Sequence, residues 1–121
     1  MSDASTVQDL PLAPPGIASD PVLRRAKEGL GRIYGGRLAG VVLYGSRARG
    51  DNRPDSDYDI LVLIKDYGRM RENNSELHGL ADALFQMEPY EVEVNFLLFG
   101  ENGLAERTIF MHNVREEGLR L

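Results

Sequence analysis

The stretch Val41–Ile64, VVLYGSRARGDNRPDSDYDILVLI, decides how the chain folds. An apolar run from Leu38 to Tyr44 ends in Gly45-Ser46, a basic and acidic turn follows, and a second apolar run opens with Asp57 and Asp59 and continues to Ile64. Runs this apolar read as strands covered on both faces. Successive strand residues alternate faces, so the Asp57 and Asp59 carboxylates project from the same side of the second strand. Two carboxylates that close repel each other, and a divalent cation is the common remedy. Gly45 and Ser46, one strand away, offer backbone N–H groups that a ligand can approach and a hydroxyl donor. Metal and phosphate together point to a nucleoside triphosphate.

Upstream of this stretch, Asp20-Pro21 reads as a helix start, with aspartate as N-cap and proline at the first helical position. Leu23, Ala26, Leu30, Ile33 and Tyr34 follow at spacings of three and four, and Gly35-Gly36 end the helix. Residues 1–19 hold three of the six prolines and no periodicity, which predicts a disordered tail before a domain spanning 20–121. Downstream, Met70, Leu77, Leu80, Ala81, Leu84 and Phe85 predict a helix bounded by Gly68 and Pro89. Tyr90 to Phe99 alternates as a third strand, with Glu91, Glu93, Asn95, Leu97 and Phe99 on one face. A last helix is expected from about Leu104 to Glu117, stopping at Gly118, with a short edge strand over Leu119 to Leu121.

This order dictates geometry. Strand, helix, strand is a right-handed βαβ unit with parallel strands, whereas the connection of about a dozen residues makes the first two strands antiparallel neighbours. The end of the first strand then lies beside the starts of the second and third. Gly45-Ser46, Asp57/Asp59 and Glu91/Glu93 converge at one end of a small mixed α/β sheet, with helices mainly on one face. On the carboxylate face, Leu61, Leu63, Leu97 and Phe99 form an apolar strip that calls for a partner helix or a second copy of the domain. Tyr44 and Tyr58 are expected in the core, and His78 away from the motif.

Composition narrows the classes further. A chain of 121 residues with 42% hydrophobic and 27% charged residues is one soluble domain by this reading. Zero cysteines exclude disulfides, Cys-ligated zinc and thiol catalysis. A formal net charge of −5 argues against general nucleic-acid binding. With neither a membrane-length apolar run nor a secretion signal, the expected address is the cytoplasm.

Gly45-Ser46, ten intervening residues and Asp57-Tyr58-Asp59 together resemble the GS-x10-DxD signature of the minimal nucleotidyltransferases, of the DNA polymerase β-like superfamily. The flanking GSRARG, SDYDILV and the closing NVREEGLRL match as well, so the resemblance covers roughly Asp20 to Leu121. It implies a nucleotidyltransferase fold, with Gly45 and Ser46 at the triphosphate of ATP or another nucleoside triphosphate and Arg47 and Arg49 beside it. It also implies Asp57 and Asp59 on Mg2+ or Mn2+ and a third carboxylate from a later strand. No aspartate stands in that strand; setting EVNFLLFG against the family's usual strand places Glu93 there, with Glu91 as the fallback.

The activity so implied is metal-dependent transfer of AMP from ATP onto a hydroxyl. Stand-alone domains of this length in the family often act as antitoxins that adenylylate a helical HEPN-type toxin. Two other classes fit the residues: a catalytically degenerate module that only clamps its partner, and one component of a small-molecule, antibiotic-type nucleotidyltransferase.

Overall fold

A computed structural model describes residues 6–68, 74–87 and 91–121. Among these residues the α-helices and β-strands are, in order, α1 (Pro15–Ala18), α2 (Pro21–Tyr34), β1 (Leu38–Tyr44), α3 (Ser46–Arg49), β2 (Tyr58–Ile64), α4 (Ser75–Phe85), β3 (Val94–Gly100), α5 (Ile109–Glu117) and β4 (Leu119–Arg120). They build a four-stranded sheet in the order β3-β2-β1-β4. β2 pairs antiparallel with β1 and parallel with β3, as the loop lengths require. The two registers set Tyr44 opposite Asp59 and Asp59 opposite Asn95.

α2 starts where its sequence says it should. The Asp20 carboxylate accepts from the backbone N–H groups of Val22 at 2.8 Å and Leu23 at 3.3 Å, and Pro21 opens the helix. Gly35 closes it at a φ of 55°, a left-handed value that glycine adopts without strain. α2 and α4 cover one face of the sheet and enclose Val41, Leu43, Ile60, Val62 and Ile64 between them. Gly29 lets the two helices approach, since a Cβ there would lie 2.5 Å from the Leu80 side chain.

The opposite face is closed by smaller pieces, and here the expectations change. Leu61 and Leu63 are fully buried, packed with Val42 against Val7 and Leu10 from the N-terminal segment and against Leu104, Met111 and Val114. The expected open strip is therefore covered by the chain itself at two of its four positions. Phe99 is partly buried in the same cluster, and Leu97 is exposed.

The N-terminal segment is likewise no disordered tail over residues 6–19. Val7, Leu10 and Ala13 are buried, and the segment bonds to the sheet edge through Ala13 N–H to the Arg120 carbonyl and Arg120 N–H to the Pro11 carbonyl, each 2.8 Å. Only three apolar anchors spaced among prolines are needed for this docking, too few to make a periodic signal.

Two other boundaries shift. The expected last helix breaks into a 3-10 turn at Gly103–Ala105 and then α5, because Thr108 caps the new start by accepting from Met111 N–H at 3.1 Å. Arg115 donates to the carbonyls of Leu104 and Glu106 across the gap. β3 begins at Val94, opposite the first residue of β2, although one further bond runs from Tyr58 N–H to the Glu93 carbonyl. The starts expected for the preceding helix at Met70 and for this strand at Tyr90 lie outside the described residues. No helix among the described residues is long and apolar enough to cross a membrane.

Candidate active site

β1 ends at Tyr44, and Gly45 turns the chain into α3 with a φ of 80°. Only glycine fits there, since a Cβ would meet Asp59 Oδ2 at 2.5 Å. The Gly45-Ser46 turn and the Asp59 carboxylate are thus in direct contact. Asp57 precedes β2 and Asp59 lies within it, both on the face opposite α2.

What fixes that orientation is the residue between them. The Tyr58 side chain points into the α2 face, where its hydroxyl donates to Asp20 Oδ2 at 2.8 Å. Asp20 therefore caps α2 with one oxygen and anchors the start of β2 with the other. Arg47 lies over the Tyr58 ring, its Cζ 3.9 Å from the centroid, and donates to the carbonyls of Ser56 at 2.9 Å and Pro54 at 3.0 Å. The guanidinium expected beside a phosphate is directed instead to the loop that delivers Asp57.

Arg49, the second expected phosphate ligand, also has internal partners. Its Nε donates to Asp51 at 3.2 Å and its Nη1 to both oxygens of Glu117 at 3.3 and 3.2 Å. Hydrogen bonds to Asp51 and then Glu117 hold its pKa above the ordinary arginine value. Glu117 Oε1 also accepts from Gly45 N–H at 3.1 Å, so one carboxylate from α5 braces the turn. Nothing in the sequence spacing brings residue 117 to residue 45, so Glu117 carries no signal of this role in the sequence.

From β3, the side chain that reaches both aspartates is Asn95. Its Nδ2 donates to Asp59 Oδ1 at 3.2 Å and Asp57 Oδ2 at 3.4 Å. Glu93, expected there, is exposed two residues earlier, and Glu91 is exposed as well. Among the described residues, no three His, Cys, Asp or Glu side chains gather to form a metal-holding cluster. Asn95 takes this place because the parallel register pairs it with Asp59, which the spacing within either strand alone does not reveal.

Tyr44 is half-buried on the same face rather than in the core. Its pKa is pushed up to about 12, first by burial and then by the Asp59 charge. Its ring meets Phe110 edge-on at 5.4 Å, and Phe110 stacks on Phe99 at 6.2 Å. Beside Asn95, a groove of about 460 Å3 lined by Tyr67, His78, Val94 and Leu97 lies between β3 and α4.

Comparison with known proteins fits this geometry. Residues 23–114 match the family model of the nucleotidyltransferase domain. Over 51 residues the chain is 35% identical to a candidate protein adenylyltransferase of Methanocaldococcus jannaschii, a match covering 42% of this chain and 52% of the relative. The chain thus spans about half the length of that relative. A crystal structure described as a toxin-antitoxin with AMP-PNP superposes with a TM-score of 0.53 at 23% identity, covering 78% of this chain and 68% of the other. A candidate nucleotidyltransferase from Sulfolobus solfataricus gives a TM-score of 0.48 at 25% identity, covering 82% of this chain and 78% of that one. With the fold shared and the family model spanning β1, the Gly45-Ser46 turn, both aspartates and β3, the chain belongs to the nucleotidyltransferase domain family.

Proposed function

We propose that this domain binds ATP with Mg2+ or Mn2+ at Asp57 and Asp59 and transfers AMP to a hydroxyl of a protein partner. The observation that carries the reading is the contact between the Gly45-Ser46 turn and Asp59, with Asp57 joined to it through Asn95. The donors suit a hard divalent cation, which takes carboxylate and amide oxygens and is commonly bound by one or two carboxylates plus substrate phosphates. Such a cation, once bound, neutralises charge on the triphosphate and makes a coordinated hydroxyl more acidic.

The remaining roles fall to the chain's own groups. Ser46 and the N–H groups opening α3 hold outer phosphate oxygens. Arg49 shares the Glu117 carboxylate with the Gly45 N–H and can exchange it for phosphate, because an exposed ion pair is weak. Glu93, next on the carboxylate face beyond Asn95, is the acid available as base toward an acceptor hydroxyl.

The partner is proposed to be a helical HEPN-type protein, with the domain as its antitoxin. This draws on the described toxin-antitoxin neighbour and on Leu97, Ile109 and Phe110, which remain exposed around the carboxylate face. Catalysis requires the acceptor to be brought to the site, and docking on those residues would supply proximity.

Calorimetry with ATP tests the reading. ATP should bind in the presence of Mg2+, and binding should largely vanish with EDTA or in Asp57→Asn. Equal affinity with and without metal would sink it.

A further inference from the structure

We propose that Asn95 is itself a cation-facing residue, a neutral amide that completes the oxygen set of Asp57 and Asp59 and leaves the site two negative charges rather than three. The proposal deepens the reading above and rests on it for the identity of the cation.

The geometry is specific to this side chain. Asn95 is the register partner of Asp59 across parallel strands, so its Cβ and that of Asp59 rise side by side from one face. Its NH2 group donates to one oxygen of each aspartate, the place where a cation shared by the two would sit. An amide carries both a donor and an acceptor on one carbon. Half a turn about the terminal torsion, which is broad for asparagine, exchanges NH2 for the carbonyl oxygen without moving the strand. The same side chain therefore quenches the carboxylate repulsion when the cation is absent and presents oxygen when it is present. Glu93 cannot substitute in the first role, because it brings a third negative charge to two that already repel.

A consequence follows for affinity. Two carboxylates and an amide attract a free divalent cation weakly, so the cation enters chiefly with the triphosphate that supplies its other oxygens. Restoring a carboxylate at this position should convert the site into one that retains free metal.

The test titrates Mn2+ alone, followed by electron paramagnetic resonance, into the full chain and its variants. Asn95→Asp should tighten Mn2+ by about tenfold or more, the scale on which groups around a metal site act. Asn95→Leu should weaken it, and Glu93→Gln should leave it within about twofold. Melting in EDTA supplies a readout independent of binding. Asn95→Asp should melt below the wild type without metal and show the larger upward shift on adding Mn2+. If Asn95→Asp leaves Mn2+ affinity unchanged the assignment is wrong, and if Glu93→Gln lowers it tenfold the assignment is wrong and Glu93 is the third group. Failure of ATP to bind the wild type, with the Mn2+ ranking intact, would overturn the transfer reading and spare this one.

Discussion

Tyr44 and Tyr58 stand on opposite faces of the sheet, and both phenols stay neutral well past their ordinary range. Burial is the main cause for each, and each pKa rises to about 12; Asp59 adds to the effect at Tyr44 and the Asp20 hydrogen bond adds to it at Tyr58. A phenol with a folded pKa above the unfolded value of about 10 binds its proton more tightly in the native state. The stability this confers is fully present below pH 10 and is lost as pH rises through 12. Urea unfolding at pH 8 to 12 should therefore show a steep alkaline decline, and Tyr58→Phe should flatten part of it. An unchanged slope in that variant would count against the coupling. At this scale the sequence was informative where residues are local partners: Asp20 as N-cap and the shared face of Asp57 and Asp59 both follow from spacing. Asn95 was not legible as the bridging residue, because its role depends on a register between strands more than thirty positions apart.

Elements position the site by bracing it from both sides. α2 reaches β2 through the Asp20–Tyr58 bond, and α5 reaches the Gly45 turn through Glu117. Glu117→Ala removes the acceptor for Gly45 N–H and the partner of Arg49 together. The expected loss is about 1 kcal/mol, the net worth of one such bond, with little added by an ion pair that water reaches. Glu117→Gln keeps an acceptor for the N–H and should lie between Ala and wild type in urea midpoint. Two variants indistinguishable from wild type would show that the brace carries no load. Strand and helix order were readable, since β1 and β2 run without interruption between glycine and charged turns. The break before α5 was not readable, because Thr108 continues an acceptable helical pattern and becomes a cap only once Arg115 satisfies the carbonyls behind it.

At the scale of the whole molecule, the sheet is sealed on its second face by a segment whose composition reads as a tail. β2 is apolar at every position from Ile60 to Ile64, so both of its faces need cover, and α2 with α4 supply only one. α5 and its preceding turn bring Leu104, Met111 and Val114, which leaves the β1 side to Val7 and Leu10. Sequence periodicity cannot show this, because three anchors on an irregular path have no period. The energetic consequence is large. Leu10 is 3% exposed and packs in the cluster that holds Leu61 and Leu63, so Leu10→Ala should cost about 2 to 5 kcal/mol. That is a large part of the roughly 5 to 15 kcal/mol by which a domain of this kind is stable. Leu12 lies two residues away but is 63% exposed, and Leu12→Ala should change stability by no more than about 0.5 kcal/mol. Chemical denaturation of the pair separates docking from disorder: a tail would leave both variants at the wild-type midpoint. A drop confined to Leu10→Ala establishes that the N-terminal segment is part of the cooperative fold, and that it covers Leu61 and Leu63 as part of that fold.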